Sequence, residues 1–351
     1  MNIYMKIQFA LLLCGLLVSC SQGKKNYADA VIVEYSDFET VMNLEAEKLE
    51  MDSLIWSPIQ LQVYDTILAV MNARAERLVH LFNLKSNQKI AEHISVGQGP
   101  DEMLAPRFVE NDGSSVQISD LMTSSVSKYA CSDFMKQEEP VSIEKITLER
   151  RPFGEIRLLD NSFIVPARKV SCLLYRFNEQ GDIVDSIGHY PEVSWETTDM
   201  EKCDMYSFSF TSNLQNKIAI CYNWTDLIDI YDDKGNLCKR LHGPRQFVSH
   251  FREVSDGKVV SSSPLKGQTR DAYFSPVNVG DEFWVLFSGK SESEDDYSIL
   301  ANQICVYGWD GTPRRLLNLD QGVFSIAVDA KNKKIYGISD TPELHIVVFS
   351  Y

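Results

Sequence analysis

The sequence predicts an all-β chain folded as a six-bladed β-propeller, its ring closed by an N-terminal strand that completes the last blade. Three observations predict this. Short runs of Val, Ile, Phe, Tyr and Leu alternate with Asp, Asn, Gly and Lys turns, the pattern of strands and hairpins. Apolar strands ending on an aromatic recur at Phe82, Tyr129, Phe177, Tyr231, Tyr307 and Phe349, at spacings of 47, 48, 54, 76 and 42 residues. Each is preceded by a second strand–turn–strand unit, so the period holds four strands, and four-stranded units of roughly 40–50 residues are the mark of propeller blades.

The N-terminal segment reads as an export signal. Lys6 supplies a positive start, Phe9 to Val18 an apolar stretch, and Leu17-Val18-Ser19-Cys20 a lipoprotein-type cleavage site. The apolar stretch is about ten residues, short of the roughly 20 that span a bilayer as a helix. Residues 1–19 are therefore expected to be a signal peptide, Cys20 the lipidated N-terminus, and residues 20–29 a flexible tether. The competing expectation is an ordinary secretory signal in which Cys20 is incidental. The chain is expected to be exported and lipid-anchored to the cell envelope. Ser21 follows Cys20 where an Asp would mark inner-membrane retention, which points to the outer membrane.

Residues 30–351 form the expected propeller domain. The run Ala30-Val31-Ile32-Val33-Glu34-Tyr35 is available to close the ring as the outer strand of the last blade, which removes an exposed sheet edge. Clear copies of the hairpin unit are Leu174-Tyr175-Arg176-Phe177 before Gly181, Ile228-Asp229-Ile230-Tyr231 before Gly235, and Ile304-Cys305-Val306-Tyr307 before Gly311. The glycines supply the positive φ of a tight hairpin. The copies at Phe82 and Tyr129 are weaker, with Lys85-Ser86-Asn87 and Cys131-Ser132-Asp133 in place of a glycine turn, so their boundaries are less sharp. The long fourth spacing is read as an insertion over about 244–269, where Pro244, Gly257, Pro264 and Gly267 fall; an incomplete seventh blade is the competing reading.

These residues resemble the TolB-like six-bladed β-propeller lipoproteins of Bacteroides-type bacteria. The resemblance rests on Val96-Gly97-Gln98-Gly99-Pro100-Asp101-Glu102, Thr269-Arg270-Asp271-Ala272-Tyr273, Leu286-Phe287-Ser288-Gly289-Lys290 and Val306-Tyr307-Gly308-Trp309-Asp310-Gly311, in that order. It rests also on the ending Ile326-Ala327-Val328-Asp329, Ile335-Tyr336-Gly337-Ile338 and Ile346-Val347-Val348-Phe349. It implies the propeller fold and a cell-envelope lipoprotein. It implies no settled activity, so no catalytic residue is carried over.

Composition narrows the function. The net charge of −15 disfavours nucleic acid and anionic lipid, whose phosphates select Lys and Arg. No nucleic-acid partner is expected, and membrane contact is expected through the lipid alone. Of eight cysteines, Cys14 leaves with the signal and Cys20 carries the lipid. The other six have no Cys-x-x-Cys spacing, and Cys172, Cys221 and Cys305 sit in apolar runs, so buried thiols are favoured over a disulfide framework or a zinc site. The six histidines form no His-x-His or His-x-x-x-His pair, and no calcium-loop pattern occurs at Glu292–Asp296 or Asp232-Asp233. The Gly97–Glu102 loop lacks the third glycine of a dinucleotide fingerprint, and no Gly-x-Ser-x-Gly is present. No catalytic residue, metal or cofactor is assigned.

The best site argument is topological. In a propeller, connections from each outer strand to the next inner strand share one face with the loops between the two middle strands. That face gathers the candidate ligand-binding residues Glu102, Arg107, Arg168, Trp224, Arg270 and Tyr273. Arginine offers a planar fork to carboxylates, phosphates or sugar hydroxyls, although each Arg can equally pair with an acid of a neighbouring blade. The expected function is an envelope-anchored module that binds a glycan, a peptide or an envelope protein. The alternative is a polysaccharide- or peptide-processing enzyme with its site in the central funnel.

Overall fold

Antiparallel pairing sorts the strands of the computed structural model into six sheets around a ring, plus one separate hairpin. The structure describes residues 27, 29–51, 57–109, 115–193, 195–213, 216–255, 257–258, 260–294 and 298–351. The expected signal peptide, Cys20 and most of the tether lie outside the described residues.

Three short strands open the chain: β1 (Val31–Ile32), β2 (Thr40–Leu44) and β3 (Ala46–Lys48). Blade 1 is β4 (Pro58–Tyr64), β5 (Ile67–Asn72), β6 (Arg77–Asn83) and β7 (Lys89–Ser95). Blade 2 is β8 (Pro106–Val109), β9 (Ser115–Asp120), β10 (Ser125–Ala130), helix α1 (Cys131–Phe134) and β11 (Glu144–Thr147). Blade 3 is β12 (Arg157–Leu159), β13 (Ser162–Lys169), β14 (Cys172–Phe177) and β15 (Ile183–Ile187). Helix α2 (Asp199–Met205) precedes blade 4, which is β16 (Phe208–Asn213), β17 (Lys217–Tyr222), β18 (Leu227–Asp232) and β19 (Leu237–His242). The hairpin β20 (Phe251–Ser255) and β21 (Val260–Pro264) follows. Blade 5 is β22 (Tyr273–Val279), β23 (Glu282–Phe287), β24 (Ala301–Gly308) and β25 (Pro313–Val323). Blade 6 is β26 (Ser325–Asp329), β27 (Lys334–Ser339) and β28 (His345–Ser350).

The six aromatic anchors all fall at or next to the end of a third strand, and all are buried. Phe82, Phe177, Tyr231 and Tyr307 also sit where the register to the fourth strand shifts. A bulge there increases local twist, and the large ring fills the space between successive blades. Gly181, Gly235 and Gly311 take positive φ in the hairpins that follow. In blade 1 Asn87 takes that role, at φ 56, since Asn tolerates the left-handed region. Blade 2 replaces the tight hairpin by α1 and a longer return to β11.

The N-terminal segment departs from expectation. Residues 31–32 do not complete the last blade; β1 pairs in parallel with β19 and adds a fifth strand to blade 4. Next, β2 pairs in parallel with β25 of blade 5. The fourth strand of blade 6 is β3, antiparallel to β28, with Glu47 opposite Val348. The N-terminal segment thus crosses three blades. Gly243 makes room for it: a Cβ there would lie 1.9 Å from the Val33 carbonyl oxygen. The hairpin β20–β21 leans on α2, where the Glu253 amide donates to Glu201 Oε1 at 2.9 Å.

Candidate functional site

The innermost strands of all six blades face one central channel of about 350 Å³. Polar side chains on these strands stitch blade to blade. The Phe108 amide donates to Gln60 Oε1 at 2.8 Å, and Ser212 Oγ donates to the Leu158 carbonyl at 2.5 Å. The Ile326 amide donates to Ser275 Oγ at 3.2 Å. Gln60, Gln62, Ser209, Ser275, Asn278 and Ser325 give the channel a polar lining.

A second cavity, of about 420 Å³, opens between blades 3 and 4. Its walls come from the connection ahead of β12, the end of β13, and the segment from α2 into β16. All three belong to the face shared by the outer-to-inner connections and the middle loops. The two cavities share Glu155 and Ser209, so together they form one depression at the channel mouth. Phe153, Tyr190, Phe208 and Phe210 give it aromatic walls.

Two ion pairs line this depression. Arg157 Nη2 lies 2.5 Å from Glu155 Oε2, with the Arg side chain 4% exposed and its guanidinium 5.8 Å above the Phe210 ring. Arg168 Nη2 lies 2.9 Å from Asp204 Oδ1, and Asp204 Oδ2 accepts from Ser262 Oγ at 2.8 Å. Local backbone aims both members of the second pair. Arg168 sits at φ 43 on a register shift between Pro166 and Lys169. Asp204 is fixed on α2, whose first turn is closed by a capping box between Thr198 and Glu201. The carboxylates lining the two cavities, Glu155 and Asp204, are both held by guanidinium groups. Among the described residues no group of three or more His, Cys, Asp or Glu is arranged to hold a metal.

The six residues singled out from sequence separate into distinct places. Arg168 lines the blade 3–4 cavity. Arg107 is half-buried on β8 and donates to the Pro106 carbonyl at 2.7 Å; burial pulls its guanidinium below the ordinary value, against the pull of Glu155. Glu102 closes its own loop: its carboxylate accepts from the Gly99 amide at 2.8 Å, and a Cβ on Gly97 would lie 1.9 Å from it. Trp224 packs edge-on against Phe251 of the β20–β21 hairpin. Arg270 pairs with Glu294 at 2.5 Å and holds that carboxyl below its usual range. Tyr273 is fully buried, and its hydroxyl donates to the Gly243 carbonyl and meets the Tyr307 hydroxyl at 3.3 Å, which makes it a core residue. Of the six, Arg168 lines the cavity that Glu155 also lines, and Arg107 interacts electrostatically with Glu155.

Sequence reasoning missed Glu155, Arg157 and Phe153. Their signal was positional. They lie at or just before the entry to the inner strand β12, as Ser209 does at β16, and the inner strands of a propeller ring its axis.

Six sheets of four or five strands around a polar axis, with a depression at one mouth, define a six-bladed β-propeller. Residues 37–331 match the family model of the TolB-like 6-blade propeller-like proteins, and the chain belongs to that family. A member of the DUF4221 family from Bacteroides vulgatus has the same fold at 10% identity, with a TM-score of 0.52 over 93% of this chain and 98% of that one. A Bacteroides fragilis protein designated as exported is similar at 10% identity, with a TM-score of 0.49 over 88% of this chain and 99% of that one. Raptor from Chaetomium thermophilum is similar at 11% identity, with a TM-score of 0.49 over 86% of this chain; the chain spans 28% of that protein's length. No curated protein matches the sequence.

Proposed function

We propose that this chain is an exported lipoprotein, held to the outer membrane through Cys20, whose propeller binds a ligand at the mouth of its channel. The observation that carries the binding reading is the union of two cavities at Glu155 and Ser209 on one face. Aromatic walls with a few fixed polar groups are the usual make-up of a ligand pocket, and their combined size suits one. The enzyme alternative needs a carboxyl free to give or take a proton. Glu155 and Asp204 are instead engaged by Arg157 and Arg168, which favours recognition over proton transfer.

Thermal-shift screening of the full chain in detergent against glycans, peptides and envelope extracts tests the binding reading. A ligand at 100 times its Kd stabilises the protein by about 2.7 kcal/mol, which a melting curve resolves. No shift with any class contradicts it. Cys20→Ala is expected to release the protein from membranes; retention in the membrane fraction would contradict the lipoprotein reading.

A further inference from the structure

We infer that the blade 3–4 cavity is a subsite for an uncharged, hydroxyl-rich ring, the repeating unit of a neutral glycan; this deepens the binding reading and rests on it. The argument starts from charge. Each ionic group on the cavity wall faces a partner of opposite sign: Arg168 with Asp204, Glu155 with Arg157. Each pair carries no net charge, so the wall offers a charged ligand no net attraction, and an anion on Arg168 must share the guanidinium with Asp204. A hydroxyl meets no such competition. It donates to a carboxylate lone pair and accepts from a guanidinium N–H at the same time, without disturbing the pair. Arg168 engages Asp204 through Nη2, and its side chain is 57% exposed, so the rest of its fork faces the solvent in the cavity mouth.

The apolar walls suit the same ligand. Phe153 is 57% exposed at the rim of the cavity, where its ring is open to a ligand. Phe208 and Tyr190 line the wall beyond. Sugar rings present C–H faces that pack on aromatic faces, with hydroxyls around the edge to reach polar groups. The chain's net charge of −15 further disfavours a polyanionic glycan.

Isothermal titration of the full chain in detergent tests this with three probes: neutral di- to tetrasaccharides of hexoses and N-acetylhexosamine, uronic-acid tetrasaccharides, and tetrapeptides. A neutral saccharide is expected to bind, and Phe153→Ala and Arg168→Ala each to weaken it at least tenfold. Both side chains are more than half exposed, so the folded state survives, and unchanged melting temperatures verify that. Asp204→Asn leaves Arg168 uncompensated and is expected to shift preference toward the uronate. Binding of only uronate or peptide, weakened by the same variants, overturns the neutral-glycan inference and leaves the binding module standing. Neutral binding untouched by both variants also overturns it, by placing the site elsewhere. No binding in any arm overturns the neutral-glycan inference alone, since the binding reading is tested separately by the envelope extracts.

Discussion

Arg240 grips two carboxylates from distant parts of the chain. Its Nε and Nη2 each lie 2.7 Å from an oxygen of fully buried Asp229, and Nη1 reaches Asp29 at 2.9 Å. Tyr222 adds a donor to Asp229 at 2.9 Å. Burial opposes the charge on Arg240, but Asp229, with Tyr222 and Asp29, holds its guanidinium above the ordinary value. Truncating one partner strands a buried charge, so Arg240→Met is expected to cost about 3–5 kcal/mol in urea denaturation. His93 gives a pH prediction. It is buried against the Phe134 and Lys136 carbonyls, at 3.0 and 3.1 Å, and burial lowers its pKa. Burial lowers that of His80 too. The unfolded chain takes up these protons below pH about 6.5 and the native state does not. Stability is therefore expected to be full above that pH and to fall as pH drops from 7 toward 5, and His93→Gln to flatten the fall in melting temperature. At this scale the aromatic anchors were legible, because a repeated aromatic at a strand end has one use. The role of Tyr273 was not, because an aromatic beside a loop reads alike whether it points outward or into the core.

At the scale of elements, hairpins were legible and edge pairings were not. Turn glycines and alternating apolar residues encode an antiparallel neighbour locally. Nothing local tells a strand like Val31–Ile32 which of six equivalent blade edges to join. The apolar run at 30–35 suggests the closing strand, yet the closing strand is Ala46–Lys48, which is mostly exposed and has no apolar alternation. The signal that could have placed β1 is Gly243, a glycine after the β19 segment, where φ is 151 and the chain must admit Val33. Gly243→Ala drives a methyl into the Val33 carbonyl. It is expected to displace the N-terminal segment from blade 4 and to destabilise the protein by more than 1 kcal/mol. Equilibrium unfolding reads the loss, and faster amide exchange over 29–34 locates it; wild-type stability and exchange would contradict this packing.

The ring itself was readable from period alone, because stacked copies of one unit can close in few ways. The long fourth spacing holds the β20–β21 hairpin, which packs on α2 and so supports Asp204 at the wall of the blade 3–4 cavity. The cavity was not readable, since it forms where two consecutive blades, a bulge and a capped helix meet. The topological face it occupies was, and Arg168 marks its place there. Amide exchange of the full chain, with and without saturating neutral tetrasaccharides, tests whether this face is the binding face. The account predicts slowed exchange over 153–157, 166–168 and 203–210. Slowed exchange confined to the opposite face, over 178–182 and 308–314, would contradict it.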